Sequence, residues 1–427
     1  MTASIATNQT ILVVGGGISG MTAALEAAEC GKQVILVEKT PVLGGRTARL
    51  YRYFPKMCHP TCGLEINLRR IKQNRNIRLM TMTEVTAVAG SRGNYSVTLK
   101  VAPRYVNENC TACGKCGEAV TAEVSNPWNY GLDKMKAAYL PHNMAHPQRY
   151  VIDQSIVGTP EGEKAKAACP VGAVDLDMKE ESVSLQVGAV IYATGWRPYD
   201  AAKIQPYGYD RFPNVITSLE FERLADPQGP TSGKILRPGD GKEAKNVAFI
   251  QCAGSRDENH LRHCSRICCM ASLKQTQYVR EAFGDAGKST VYYIDIRAID
   301  RFEDFYQMVQ KDATVSFVKS KVAKIVENKE TGNPILHGVD TEGYHRYATE
   351  HDLVVLAVGM EPEITGVKLP DDVILDSSNF IEGSKDGGMF GAGAASSPLD
   401  VNRAVQSATA ASLHAIQIIN KTARAEA

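Results

Sequence analysis

Residues 11–39 read ILVVGGGISGMTAALEAAECGKQVILVEK, and this stretch decides the fold of the N-terminal region. An apolar run predicts a buried strand, which leads through a glycine turn into a helix and then into a second apolar strand. The turn has the spacing G-x-G-x-x-G at Gly15, Gly17 and Gly20. In such a turn the first glycine permits the bend, the second lets the backbone approach a diphosphate, and the third allows close helix–strand packing. Glu38 ends the second strand, where a carboxylate can accept hydrogen bonds from ribose hydroxyls. The stretch therefore predicts a dinucleotide-binding unit.

The composition is that of an ordinary globular chain with almost no net charge. The 427 residues are 44% hydrophobic and 22% charged, with a formal net charge of +1. This length predicts two or three domains, and the charge balance excludes a general attraction to nucleic acid or to anionic membranes. The N-terminus, MTASIATNQT, lacks the basic and apolar segments of a signal peptide, and no run of about 18 apolar residues occurs. We therefore expect a cytoplasmic protein with no membrane span of its own and no nucleic-acid partner. Eleven cysteines in such a chain indicate metal or redox chemistry rather than structural disulfides.

The rest of the chain alternates strands and helices around two regions of different character. Residues 104–177 contain three closely spaced cysteines and a middle rich in proline and aromatic residues, and we interpret them as an inserted module. Residues 206–245 are rich in proline, glycine and charge, and we interpret them as a connector. The predicted elements are strands at Thr10–Val14, QVILVEK, VSLQVGAVIYATGW, VAFIQ, STVYYIDI and HDLVVLAVG, antiparallel strands or a hairpin within residues 76–103, helices at about Ser19–Cys30 and Ser265–Phe283, and a long C-terminal helix after GGMFGAGAA.

The inserted module carries the cysteine pattern of a bacterial ferredoxin. CTACGKC places Cys110, Cys113 and Cys116 in the spacing C-x-x-C-x-x-C, and Cys169 follows much later with a proline directly after it. In two-cluster ferredoxins the fourth cysteine of each run binds the other cluster, and here that nearby position is Val120. One complete ligand set therefore remains, and it predicts a 4Fe–4S cluster because thiolates are soft, anionic donors to iron. Zinc is the main alternative, since four cysteines can also bind zinc.

The second nucleotide-binding position carries thiols where glycines are expected. Residues 251–272, QCAGSRDENHLRHCSRICCMAS, follow a predicted strand but contain no G-x-G-x-x-G motif. A diphosphate would meet side chains at this place, so nicotinamide binding is not expected. Instead Cys252, Cys264, Cys268 and Cys269 are spaced C-x11-C-x3-C-C, with Cys264 and Cys268 expected on one face of a helix. The set predicts a distorted iron–sulfur site. Buried packing of the adjacent pair and a vicinal redox disulfide are the alternatives.

Three segments resemble the flavoproteins with two dinucleotide-binding domains, of the thioredoxin-reductase and glutathione-reductase type. They are EKTPVLGGR, YATGW and the distant GMFGAGAA. The resemblance implies that FAD binds at the first glycine motif, with the ATG segment and the C-terminal glycine motif near the flavin. The chain departs from that family at Ala394, where an aspartate usually follows the last glycine, so the ribityl contacts must differ in detail. The implied FAD-binding residues are Gly15, Gly17, Ile18, Ser19, Gly20, Glu38, Lys39, Gly45, Arg46, Ala193, Thr194, Gly195, Gly391, Ala392 and Gly393.

A second resemblance covers nearly the whole chain. C-x11-C-x3-C-C with its flanks QCAGSRD and CCMAS is similar to the flavoprotein A subunit of heterodisulfide reductase and its bacterial relatives. These relatives are the A-like subunit of the sulfur-oxidising heterodisulfide-reductase-like complex and the A subunit of the quinone-interacting membrane-associated oxidoreductase. YFPKMCHPTCGLEINLRRI and YVNENCTACGKC resemble the bacterial relatives in particular. The family implies an atypical 4Fe–4S cluster on the four cysteines close to FAD, partner subunits of the iron–sulfur B and C types, and a homodimer.

These observations predict an α/β protein with two Rossmann-type domains, of the thioredoxin-reductase-like kind, and an inserted ferredoxin-like module. The expected FAD domain comprises residues 1–103, 178–244 and 361–427, the module residues 104–177, and the degenerate nucleotide-binding domain residues 245–360. The expected function is that of an oxidoreductase subunit that passes electrons between FAD, iron–sulfur clusters and partners in sulfur metabolism. The alternatives are a stand-alone NAD(P)H-dependent disulfide reductase, a quinone-linked A subunit, and a non-catalytic scaffold that holds FAD structurally while docking iron–sulfur partners.

Two further cysteines, Cys58 and Cys62, lie in the short sequence CHPTC. The proline between them argues against one regular helix carrying both. A redox pair, a docking contact for a partner's cluster, a share in another cluster and a purely structural role are all compatible with this spacing.

Overall fold

The computed structural model describes residues 6–364 and 369–426, and its chain forms two compact units. The first unit comprises Met1–Ala48, Thr61–Trp196 and Pro362–Ala427, and the second comprises Arg49–Pro60 and Arg197–Glu361. The signal-peptide expectation for the N-terminus rests partly on residues 1–5, which lie outside the described residues.

The elements follow one another in an order typical of α/β proteins. The described strands are β1 Thr10–Val14, β2 Gln33–Glu38, β3 Ile77–Thr81, β4 Thr83–Ser91, β5 Asn94–Val101, β6 Glu123–Ser125, β7 Lys134–Lys136, β8 Ala138–Tyr139, β9 Val151–Ile152, β10 Glu181–Val187, β11 Ala189–Tyr192, β12 Trp196–Pro198, β13 Val215–Thr217, β14 Asn246–Ala253, β15 Lys288–Tyr293, β16 Val315–Lys319, β17 Lys324–Glu327, β18 Pro334–Asp340, β19 His345–Glu350, β20 Leu353–Val358, β21 Met360–Pro362, β22 Val373–Leu375, β23 Ile381–Ser384 and β24 Met389–Gly391. The described helices are α1 Ile18–Glu29, α2 Thr61–Gln73, α3 Lys115–Ala119, α4 Pro160–Ala167, α5 Ser218–Ala225, α6 Cys268–Phe283, α7 Phe302–Gln310 and α8 Val401–Glu426.

The first unit is built on a parallel five-stranded sheet in the order β24-β11-β1-β2-β3. All five residues of β1 are buried because neighbouring strands flank it on both sides and packed layers cover both faces. The small side chains of α1 and α8 share one core, including Ala24, Ala28, Ala408 and Ala411, and so the two helices approach closely. The predicted first strand, helix and second strand are confirmed within about a residue at each end.

Two smaller parts complete the first unit. Strands β10, β5 and β4 form an antiparallel sheet, which confirms the antiparallel pairing predicted within residues 76–103 for β4 and β5. The prediction is wrong for β3, which pairs in parallel with β2 at the edge of the larger sheet. Residues 104–177 contain the strand pairs β6–β7 and β8–β9 with α3 and α4, and they enclose a hydrophobic core of their own. Arg104 ties this insert to the rest of the unit, since its guanidinium donates to the carbonyl oxygens of Pro41 and Arg149.

The second unit contains another parallel five-stranded sheet, in the order β13-β20-β14-β15-β16. Its boundary differs from the predicted one, because residues 49–60 and 197–244 lie in this unit rather than with the N-terminal sheet. The physical reason is that β13 pairs in parallel with β20 and extends the second sheet at its edge. Residues 206–245 are therefore not only a connector, since they contain β13 and α5, which begins with a capping box formed by Thr217 and Glu220.

No helix within the described residues is long and apolar enough to cross a membrane.

A buried histidine makes the stability of the second unit sensitive to acid. The His351 ring is 2% exposed, and its nitrogens lie 2.9 Å from the Tyr292 hydroxyl and 3.0 Å from Asn246 Oδ1. Burial lowers the pKa of His351 from 6.5 to about 4. The unfolded chain therefore binds a proton below about pH 6.5, whereas the folded chain binds it only below about pH 4. The free energy of unfolding consequently decreases as the pH is lowered from about 6.5 to about 4.

We expect the free energy of unfolding to fall by about 2 kcal/mol from this group between pH 7.5 and pH 5. Urea unfolding at the two pH values measures the loss. His351→Gln should reduce the difference, whereas replacing the exposed His345 by glutamine should leave it unchanged. An equal pH dependence in wild type and His351→Gln would refute the assignment.

Candidate functional site

The first glycine motif forms a turn that only glycine fits. A side chain at Gly15, whose φ is +109°, would meet the carbonyl oxygen of Ala193 at 2.3 Å. A Cβ at Gly20 would lie 1.7 Å from the carbonyl oxygen of Gly15, so this glycine allows α1 to pack against β1. Gly17 is the N-cap of α1 and receives no side-chain cap, which leaves the first N–H groups of the helix available to an anion.

The predicted FAD-binding residues outside this motif converge on the start of α1. A Cβ at Gly45 would lie 2.9 Å from Gly17 Cα, and one at Gly393 would lie 1.9 Å from Ser19 Oγ. Strand β24 pairs with β11, which brings the segment 391–393 beside the segment 193–195. The Arg46 guanidinium donates to the carbonyl oxygen of Trp196 and lies 5.3 Å from the centre of its ring.

A pocket opens beside this turn in the first unit. Glu38 is 7% exposed, and its carboxylate accepts the N–H of Gly16 at 2.5 Å and that of Thr40 at 2.8 Å, which leaves acceptor capacity for a ligand. The hydroxyl oxygen of Thr194 is buried and has no hydrogen-bond partner among the described residues. Such an orphaned polar atom fits a pocket that binds a polar group. The lining residues are Val14, Gly15, Val37, Glu38, Lys39, Thr83, Glu84, Val85, Thr194 and Glu363.

The insert brings its four predicted ligands together. Cys110, Cys113, Cys116 and Cys169 line one recess, together with Tyr150 and several aliphatic side chains. Burial raises the pKa of Cys116 to about 11. Burial acts in the same direction on Cys169, but backbone N–H groups of residues 171–174 outweigh it and lower the pKa of that thiol. The recess therefore contains thiols with N–H donors directed at sulfur, a feature that adjusts iron–sulfur sites.

The second unit gathers Cys252, Cys264, Cys268 and Cys269, which we call the thiol quartet. The helix α6 begins at Cys268, three residues later than predicted, so Cys264 lies in the preceding loop and not on a shared helix face. Burial raises the pKa of Cys268 well above its usual value, and the neighbouring thiolates of the other three residues act in the same direction. Burial likewise raises the pKa of Cys269 to about 11. The quartet therefore lies at the N-terminus of a 16-residue helix, where partial positive charge favours an anionic group.

Buried polar atoms near the quartet have unmet hydrogen-bonding capacity. Gln251, which directly precedes Cys252, is 4% exposed, and neither atom of its side-chain amide has a partner among the described residues. The hydroxyl of Ser272, one turn after Cys268 on α6, is also buried without a partner in that part of the chain. Of the two residues, Ser272 lies on the same face of α6 as Cys268, four residues away.

An ion pair lies against the quartet, and Asp295 is the member that the sequence analysis does not identify. Arg256 Nη1 lies 3.9 Å from Cys252 Sγ and pairs with Asp295, whose second oxygen lies 3.3 Å from Arg297 Nε. Asp295 follows β15, the position corresponding to Glu38 after the turn and helix of the first unit. The sequence does indicate an acidic residue here, because Asp295 comes just after β15 in the order β14, α6, β15. It does not indicate the partner, Arg256, which lies 39 residues earlier in the chain.

The remaining cysteines do not join these groups in the part of the chain that the structure describes. All eleven cysteines fall within the described residues and carry free thiols. Cys58 is exposed in the segment 49–60 of the second unit, and Cys62 is exposed in the first turn of α2 in the first unit. Within residues 6–364 and 369–426, no group of three or more His, Cys, Asp or Glu side chains is spaced to hold a single metal ion.

Comparison with known proteins gives a family match for the N-terminal part of the chain and a fold for nearly all of it. Residues 10–97 match the family described as FAD dependent oxidoreductase. The structure of T. acidophilum thioredoxin reductase aligns with 96% of this chain over 98% of its own length, with a TM-score of 0.54 at 14% identity. That of Lactococcus lactis thioredoxin reductase aligns with 97% of this chain over 99% of its own length, with a TM-score of 0.53 at 12% identity. The predicted α/β fold with two Rossmann-type units is thereby confirmed.

The curated relatives are A subunits of one kind of enzyme. The chain is 40% identical to an iron–sulfur A subunit of the CoB–CoM heterodisulfide reductase of Methanopyrus kandleri, over 88% of this chain and 57% of that protein. It is 40% identical to the corresponding protein of Methanocaldococcus jannaschii, over 85% of this chain and 55% of that protein. It is 36% identical to the A subunit of the H2:CoB–CoM heterodisulfide, ferredoxin reductase of Methanothermobacter marburgensis, over 95% and 63%. The chain thus spans less than two thirds of the length of these relatives.

Proposed function

We propose that the chain, which is 40% identical to two heterodisulfide reductase A subunits over 85–88% of its own length, is a FAD- and iron–sulfur-containing electron-transfer subunit of a heterodisulfide-reductase-like complex. The observation that carries the proposal is the thiol quartet at the N-terminus of α6. In dinucleotide-binding domains a glycine turn and a helix N-terminus bind the diphosphate at this place. Four thiols at the same place suit iron instead.

We propose FAD for the first unit. The glycine turn, the free N-terminus of α1 and the orphaned hydroxyl of Thr194 suit a dinucleotide, and Glu38 retains acceptor capacity for a ribose. When bound, FAD exchanges two electrons, and iron–sulfur clusters exchange one at a time. The chain's own contribution is to bind the diphosphate at α1 and to hold Arg46 beside Trp196.

We propose 4Fe–4S clusters for both cysteine sets. A cluster takes one thiolate on each of four irons, so its ligands stand farther apart than the ligands of one metal ion. In the insert the N–H groups directed at Cys169 stabilise a thiolate, and the triplet spacing with a remote cysteine–proline favours a cluster over zinc. The quartet offers buried thiols and a helix N-terminus.

The complex, its substrates and its partners follow the same proposal. We propose partner subunits of the iron–sulfur B and C types, a homodimer of this chain within the complex, a cytoplasmic location and a role in sulfur metabolism, with the disulfide or sulfur chemistry in the partners. A quinone-linked complex is the second candidate. A stand-alone NAD(P)H-dependent disulfide reductase is disfavoured, because Asp295, at the position of a ribose-binding acid, is paired with Arg256 and Arg297.

Cofactor analysis of anaerobically purified protein tests the proposal. We expect about one FAD and two 4Fe–4S clusters per chain, measured as flavin, iron and acid-labile sulfide, with EPR signals from both clusters after reduction by dithionite. NADH or NADPH alone should leave the flavin oxidised, because the second unit lacks a diphosphate turn. A chain with flavin but no iron, or rapid bleaching by NAD(P)H, would overturn the proposal.

A further inference from the structure

A single arginine lies against the quartet with its charge directed at one thiol. Arg256 Nη1 is 3.9 Å from Cys252 Sγ, and the side chain is only 22% exposed. Its backbone adopts φ +53°, an unfavourable conformation for a residue other than glycine, and its N–H donates to the carbonyl oxygen of His263 at 3.2 Å. The loop therefore holds the guanidinium in place at the cost of backbone strain, which is typical of functional positions.

Asp295 opposes this charge and contacts the other end of the quartet. Its carboxylate pairs with Arg256, while its backbone carbonyl oxygen lies 3.7 Å from Cys269 Sγ. Arg297 also pairs with this carboxylate, at 3.3 Å, and so holds it in position. The positive charge of Arg256 and the negative charge of Asp295 thus both act on thiols of the quartet, and Arg297 lies on the far oxygen of the Asp295 carboxylate.

We infer that Arg256 and Asp295 form an opposed charge pair that sets the reduction potential of the cluster bound by the thiol quartet. The inference rests on the proposed function, because it requires a cluster at these thiols. Each one-electron reduction adds one negative charge, with the electron supplied by a redox mediator in the experiment below. Arg256 stabilises the added charge and raises the potential, and Asp295 destabilises it and lowers the potential.

Two single variants distinguish this role from mere support of the loop. Arg256→Gln removes the positive charge and should make reduction at least tenfold less favourable, a shift of about 59 mV to lower potential. Asp295→Asn removes the negative charge and should shift the potential in the opposite direction. Arg256→Lys keeps the charge and should remain closer to wild type than Arg256→Gln. A structural role predicts no such inversion of sign, because either variant would simply loosen the same contact.

The experiment is a mediated potentiometric titration of the full chain, purified anaerobically at low salt and followed by EPR. Arg280→Gln is the matched control, since Arg280 pairs with Asp285 near the C-terminal end of the same helix, α6. Iron and sulfide are measured first in every protein. The control should keep both the iron content and the potential of the wild type.

The outcomes separate the inference from the proposed function. Opposite shifts of the reduction potential in Arg256→Gln and Asp295→Asn support the inference. If Arg256→Gln does not retain iron, a raised potential in Asp295→Asn together with a near-normal potential in Arg256→Lys supports it equally. Iron retained in the variants with unchanged potentials, or with shifts of the same sign, would overturn the inference and leave the cluster assignment intact. A wild-type protein without iron at the quartet would instead overturn the proposed function.

Discussion

Replacing Cys264 by alanine is expected to remove about half of the iron from the protein, with the insert's cluster and the flavin retained. The reason is that a cluster at the quartet needs a thiolate on each iron, and alanine offers none. Cys264 is the suitable member to change because it is partly exposed in the loop before α6, whereas Cys269 is buried in the core. Iron, sulfide and flavin analysis with EPR measures the loss.

Two variants make this result specific. Cys30→Ala alters an exposed thiol at the end of α1 and should leave the iron content unchanged. Cys113→Ala alters an exposed thiol that we propose as a ligand in the insert and should remove the other half of the iron, with the other EPR signal. Unchanged iron in Cys264→Ala would show that the quartet binds no cluster.

Replacing Lys274 by methionine is expected to cost the second unit about 3–5 kcal/mol of unfolding free energy. Lys274 and Glu222 are each 2% exposed, and their Nζ and Oε1 atoms are 2.8 Å apart. The Glu222 carboxylate also accepts hydrogen bonds from the Tyr278 hydroxyl and the Tyr51 N–H, both at 3.0 Å. Because the ammonium group is buried, the pKa of Lys274 is lowered, and the neighbouring Glu222 carboxylate acts in the opposite direction. Without the ammonium group, Glu222 is left as a buried charge with no ion-pair partner among the described residues.

Chemical denaturation followed by circular dichroism measures the change. Lys245→Met, which removes an exposed partner of Glu243, should change stability by less than about 0.5 kcal/mol. The double variant Lys274→Met/Glu222→Gln should recover a large part of the loss, because it removes the unpaired charge. A double variant as unstable as the sum of the single variants would contradict this account.

The sequence alone was sufficient for the parts of the fold that follow from short-range patterns. The strand, glycine turn and helix around Gly15 were predictable because only glycine tolerates that bend and because buried parallel strands are continuous apolar runs. The four cysteines of the insert were predictable from spacing, and the structure brings them to one recess.

Longer-range features were not predictable in the same way. The predicted start of α6 is three residues too early, because the cysteine spacing C-x3-C is compatible with a helix that begins before Cys264 or after it. The loop before α6 is instead held by the hydrogen bond from Arg256 N–H to the His263 carbonyl oxygen and by the left-handed backbone of Arg266. The strand β13 was missed because three residues give too short a pattern, although T-x-x-E at Thr217 was a readable helix start. The pairing of Arg256 with Asp295 depends on tertiary structure.

The division of the chain has a consequence for how such a protein can be assembled or inherited. The backbone passes between the two units four times, after residues 48, 60, 196 and 361, so neither unit is a single contiguous segment. A gene truncated after residue 60 or 196 would encode incomplete pieces of both units, and one truncated after residue 361 would encode the second unit complete but the first unit without its last segment, Pro362–Ala427. Exchange of the second unit between related genes would therefore require two separate coding fragments to move together, and the short fragment that encodes the backbone around Tyr51 would have to match the longer one that encodes Glu222.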